Sequence, residues 1–141
     1  MKTASIHRLR HPLLMLSGSL LFAVATASLA VPQPFNYHGN TVLTGGASEG
    51  ERDAIRVDAA RYNLWLSFVE RDTGNYVSGV KVTVVDNNET PVVDTVTDGP
   101  WLLAQLPPGQ YTVRLGDGQE QPVTVRAAGN AMTVLRLPRQ P

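Results

Sequence analysis

From Tyr62 to Leu137 apolar side chains recur at every second residue, and turn-forming residues cut the pattern again and again. A period of 2 puts alternate side chains on opposite faces of an extended chain, so each run can bury its apolar face only as part of a sheet. Leu64, Leu66 and Phe68 share one face over residues 62–70, and Val80, Val82 and Val84 share one over 80–85. Further runs follow at 92–97, 101–106, 111–115, 121–126 and 132–137. Between them stand Arg71-Asp72-Thr73-Gly74-Asn75, Asp98-Gly99, Pro107-Pro108-Gly109, Gly116-Asp117-Gly118 and Ala128-Gly129-Asn130. Proline presets φ in such turns and glycine accepts a positive one, which is the role expected of Gly109, while Asp98-Gly99 is a tight-turn signal. The gaps are too short for the helical crossovers that parallel neighbours need. The chain is therefore predicted to form an all-β, seven-stranded antiparallel sandwich. It has no cysteine, so the apolar core must hold the sheets together without a disulfide.

The amino terminus follows different rules. Lys2, Arg8 and Arg10 precede an uncharged run from Leu13 to Ala30 that ends in small residues. This is the layout of a secretory signal peptide, with cleavage expected after Ala30, or after Ala27 as the second choice. The run is at the short end for a spanning helix of about 20 apolar residues, so no membrane anchor is expected after processing. No cysteine follows it to carry a lipid. The full chain balances 12 basic against 12 acidic residues; loss of residues 1–30 would leave nine basic residues and a net charge of −3. Such a domain has no clustered charge for phosphate, and nucleic acid is not an expected partner. The implied location is the periplasm.

Residues 31–47 hold Pro32, Pro34, Gly39, Gly45 and Gly46 and sustain no period, so an extended or flexible leader is expected there. Ser48 and Glu51 then form a capping box. Ile55, Ala59 and Tyr62 fall on one stripe, and acids lead while Arg61 closes, so residues 48–61 read as one amphipathic helix covering an edge or end of the sandwich. The sandwich itself is expected over 62–137, with a polar tail at 138–141. Asp86-Asn87-Asn88-Glu89 reads as a hairpin connection: in a calcium loop of the EF-hand kind the sixth position is glycine, and here it is Pro91.

The runs Gly79-Val80-Lys81-Val82-Thr83-Val84, Thr97-Asp98-Gly99-Pro100 and Leu106-Pro107-Pro108-Gly109-Gln110-Tyr111-Thr112-Val113 resemble the carboxypeptidase regulatory-like domain. That domain is related in form to transthyretin-like and collagen-binding B-type sandwiches. The resemblance spans residues 62–137 and implies a spacer or interaction unit accompanying enzymes, transporters or surface proteins. Collagen-binding relatives can carry a lysine–asparagine cross-link; Lys81 is the one lysine beyond residue 30 and its parity points outward, so none is expected here.

Materials for catalysis are sparse. Beyond residue 30 the chain holds one histidine, His38, in the predicted leader, and the candidate acids Asp86, Glu89, Asp94, Asp98 and Asp117 mostly sit at predicted turns. A nucleophile needs an oriented base beside it, and a metal needs ligands grouped together. No catalytic, cofactor-binding or metal-binding residue is assigned, and a non-enzymatic module is expected. The candidate contact residues are Trp65 and Trp101. Each stands opposite the main apolar face of its strand, where it can either meet a ligand or pack beneath the helix. The expected function is a monomeric accessory or protein-interaction module for a protein or envelope component. The alternatives are a glycan binder using both tryptophans and an assembly subunit that pairs by a sheet edge.

Overall fold

The computed structural model describes residues 31–139, together with Gly18, Ser19 and Ala23. Apart from those three residues, the signal peptide expected over residues 1–30, with its expected cleavage at Ala30, lies outside the described residues, as do the last two residues of the tail.

The alternating runs become strands close to their expected limits. They are β3 (Leu64–Glu70), β4 (Lys81–Val85), β5 (Pro91–Val96), β6 (Trp101–Gln105), β7 (Gly109–Leu115), β8 (Glu120–Val125) and β9 (Met132–Leu137). Two more precede them, β1 (Phe35–Tyr37) and β2 (Asn40–Gly45), making nine among the described residues rather than seven. The expected leader over 31–47 is thus corrected in part to a hairpin. Its turn is His38-Gly39, with φ of 47° and 89°. Two consecutive positive φ values make the tight turn that matches strand twist. Asn36 Oδ1 accepts from Gly39 N–H at 2.9 Å. Val42 and Leu43 alternate faces, and both are buried.

One sheet has the order β1-β2-β6-β3-β9 and the other β5-β4-β7-β8, and they pack as an all-β sandwich. Their facing surfaces form the main core, which includes Leu66, Phe68, Val82, Val84, Leu102 and Val113. The antiparallel expectation is corrected at one place: β9 pairs with β3 in parallel, from Trp65↔Met132 to Glu70↔Leu137. Parallel neighbours need a long connection, and here the whole second sheet intervenes between β3 and β9. Asn63 locks the crossing. Its Nδ2 donates to Leu106 O at 2.7 Å and to Arg126 O at 3.0 Å, and its Oδ1 accepts from Leu106 N–H at 2.9 Å. Tyr111 Oη donates to Pro107 O and braces the Pro107-Pro108 corner.

The helix α1 (Glu49–Asp58) continues as a 3₁₀ turn over Ala59–Arg61. Ser48 accepts from Glu51 N–H at 3.2 Å, and the Glu51 carboxylate reaches back to the N–H groups of Gly46 and Ala47, each at 3.0 Å. Ten residues make a marginal helix by themselves, so docking sustains it. Ile55, Ala59 and Tyr62 pack with Leu43, Trp101 and Leu103 on the outer face of the first sheet, and this forms a second core.

Candidate functional site

Two places could meet a partner: the aromatic cluster beneath α1 and the outer edge of β9. The cluster follows from strand parity. On β6, Leu102 and Ala104 face the main core, so Trp101 and Leu103 must face the other way. On β3 the same rule turns Trp65 outward, and the register sets Trp65 against Leu103 and Ser67 against Trp101. The two indoles meet edge to face, with centroids 5.1 Å apart at 80°, and Tyr76 meets Trp101 at 6.4 Å and 87°. Such geometry suits the charge distribution of aromatic rings. From α1, Arg56 lies 5.1 Å over Trp101 and Arg52 lies 4.9 Å over Tyr76, with Arg52 also donating to Gly46 O at 2.8 Å.

Of the two readings of Trp101, ligand contact or packing beneath the helix, this arrangement shows the second. Trp101 is 1% exposed, because the face it occupies is roofed by α1, and it has no free ring face for a sugar. Trp65 is partly buried at the margin of the same cluster. The structure brings both residues together, though as a core. Among the described residues neither indole N–H meets a hydrogen-bond acceptor. Burial raises the pKa of the Tyr62 hydroxyl beside them above its ordinary value, with Asp58 reinforcing the effect.

Asp86, Glu89, Asp94 and Glu120 are occupied by structure. Asp86 Oδ1 accepts from the N–H groups of Asn88 and Thr90 at 2.8 and 3.0 Å, which shapes the β4–β5 loop where Glu89 takes a φ of 62°. Asp94 pairs with Lys81, and Glu89 and Glu120 both engage Arg114. His38 is spent on the β1–β2 turn, with its ring 4.5 Å from that of Tyr37.

The β9 edge was not evident from sequence. Leu137 O accepts from Arg71 N–H on the β3 side, so Thr133, Leu135 and Leu137 turn their backbone groups toward β3. By alternation Met132, Val134 and Arg136 turn theirs away, and β9 is the last strand of its sheet. The side chains of Met132 and Val134 are 41% and 47% exposed. The other three edges carry obstacles. β1 has three residues, and β8 carries Pro122, which has no N–H to offer. On β5, which begins at Pro91, Asn40 Nδ2 covers Val92 O at 3.1 Å. The β1/β5 flank of the sandwich is therefore laced shut. The β8/β9 flank opens into a groove of about 590 Å³ lined by Leu64, Val123, Thr124, Arg126, Ala131 and Thr133 among others.

No family model, curated protein or solved structure matches the chain.

Proposed function

We propose that the chain is an exported, non-enzymatic β-sandwich of the carboxypeptidase regulatory-like kind, serving in the periplasm as a protein-interaction module whose contact surface is the outer edge of β9. The observation that carries this reading is the contrast among edges. Unpaired strand edges invite pairing with another chain, and proteins ordinarily block them with proline, short length or a covering group. Three edges have such a block, whereas among the described residues none blocks the backbone groups of six-residue β9, beside exposed Met132 and Val134. The engagement of Asp86, Asp94, Glu89 and Glu120 in loops and ion pairs supports a binding role over acid–base chemistry. The basic, apolar and small-residue order of residues 1–30 supports export. The braced Pro107-Pro108 corner supports the family reading.

A photo-crosslinking side chain placed at Val134 should capture a discrete protein from a periplasmic extract. The same side chain at Gln121, on the proline-blocked β8 edge, should capture none. Equal labelling from both positions, or no adduct from Val134, would refute the assignment of β9 as the contact surface.

A further inference from the structure

The β9 edge carries information about its partner as well as a place for it. Resting on the interaction reading above, we infer that the partner contributes an extended segment, apolar in its middle and acidic toward its ends, which adds to the first sheet as a strand beside β9. Strand addition uses backbone hydrogen bonds for affinity and alternate side chains for specificity. The backbone part is supplied by Met132, Val134 and Arg136, whose N–H and C=O groups face away from β3. At about 3.3 Å per residue the six residues of β9 offer roughly 20 Å of edge.

The side-chain part follows from what flanks that edge. Exposed Met132 and Val134 are apolar neighbours for the middle of the segment on the outer face. Residues of the segment that turn inward lie over the groove between β8 and β9, where Leu64, Val123 and Thr133 await them. Charge settles the ends. Arg126 lines the groove at the start of β9, Arg136 is on the strand, and Arg71 and Arg139 lie just past its end, all four exposed. Among the described residues, no carboxylate lies within ion-pair distance of Arg71, Arg126 or Arg136. Arg139 pairs with Glu70 at 4.0 Å. Asp72, in the turn after Arg71, and Asp117, beside Leu137 in a neighbouring recess, are the other acids near that end. Elsewhere on the domain basic groups have partners: Lys81, Arg56, Arg61 and Arg114 each face an acid, and Arg52 is held by Gly46 O and Tyr76. The unpaired guanidinium groups of Arg71, Arg126 and Arg136 thus gather at both ends of one open edge on a domain that is otherwise acidic.

The same charge argues against a second copy as occupant. Two β9 strands side by side would bring both sets of these arginines together, and like charges across a strand pair destabilise it. Carboxylates on the added strand would instead find guanidinium groups that already lack partners.

The test uses three capped hexapeptides, Glu-Val-Thr-Val-Thr-Glu, its amide twin with Gln at both ends and a Lys-ended version, titrated into the purified protein at low salt. Fluorescence anisotropy reads affinity, and amide hydrogen exchange reads the backbone. The acidic peptide should bind about fivefold more tightly than the amide twin, a preference that salt removes. It should slow exchange at Met132, Val134 and Arg136 and leave the β8 amides unchanged. The double substitution Arg126→Glu and Arg136→Glu, at exposed positions that do not threaten folding, should transfer the preference to the Lys-ended peptide. Equal binding of the acidic and amide peptides, with protection of the three β9 amides, would overturn the acidic chemistry and leave the β9 interface standing. Absence of binding and protection with every peptide would overturn strand addition itself, and the crosslink from Val134 would then decide separately whether β9 is an interface of another kind.

Discussion

Gly99 and Gly109 occupy similar places in the sequence, each next to proline at a corner between strands, yet the structure assigns them opposite sensitivities. Neither has a positive φ, so left-handed backbone is not what glycine supplies at either position. A Cβ at Gly99 would stand 2.3 Å from the carbonyl oxygen of Gly45, 2.4 Å from its carbon and 2.9 Å from the nitrogen of Ala47. All three are backbone atoms, and they belong to the segment whose N–H groups Glu51 clamps to start α1. Gly99→Ala must therefore push the end of β2 and the helix entry away from the β5–β6 connection, and overpacking against backbone costs at least about 1–3 kcal/mol. A Cβ at Gly109 meets only the Tyr111 ring at 3.9 Å, which is ordinary contact. Gly109→Ala should be neutral or should stabilise by about 0.4–1 kcal/mol, because alanine narrows the unfolded ensemble. The two variants should differ by roughly 1–4 kcal/mol, or on the order of 10 °C in Tm for a domain of this size. Urea unfolding followed by tryptophan fluorescence measures the difference, and near-ultraviolet circular dichroism should show a disturbed Trp101 only in Gly99→Ala. A Gly99→Ala variant within 0.5 kcal/mol of the parent, or one matched by Gly109→Ala, would refute the close-approach reasoning.

Asn63→Leu removes the donor and acceptor that satisfy Leu106 N–H, Leu106 O and Arg126 O, and should cost about 2–4 kcal/mol in the same urea assay, since it orphans buried backbone groups. Trp101→Phe discards an indole N–H that is buried without an acceptor, and that relief of about 1–3 kcal/mol offsets the lost contact. It should therefore fall within about 1 kcal/mol of the parent, while Trp101→Ala should cost about 3–5 kcal/mol. Alkaline pH tests the second core. Burial raises the pKa of Tyr62 in the folded state, so the folded form keeps its proton where the unfolded form has lost it. Stability is then fully present below about pH 10 and declines as pH rises through the folded value. Tyr111 is raised in the same direction, by burial first and Asp86 second, so Tyr62→Phe should flatten the decline only in part.

Most of the fold was legible because period-2 alternation is a local property. The runs around Leu64, Val82, Tyr111 and Leu135 each state their faces without reference to the rest of the chain, and their strand limits agree with expectation to within a residue or two. Ser48 and Glu51 likewise announce α1. The β1–β2 hairpin was hidden for a local reason. Its turn is His38-Gly39 in place of the usual Asn-Gly or Asp-Gly, and the prolines just before it read as leader. The parallel pairing of β9 with β3 was hidden for a nonlocal reason, since nothing within Met132–Leu137 states which strand it will meet.

That difference between local and nonlocal information also explains why the candidate site moved. Parity correctly takes Trp65 and Trp101 off the main core, but whether the opposite face meets water or another element depends on where α1 docks. The roof makes Trp101 structural, and it does so by means of the same helix that parity alone could not place. Conversely, Met132 and Val134 look in sequence like ordinary members of a last strand, and only the sheet order makes β9 an edge. Arg71, Arg126 and Arg136 are separated by up to 65 residues, and it is the return of the chain from β8 to β9 beside β3 that sets them along one flank. Binding chemistry of this kind belongs to the topology. A substitution that preserved every local pattern but moved β9 inside its sheet would erase the proposed interface while leaving the sequence reading untouched.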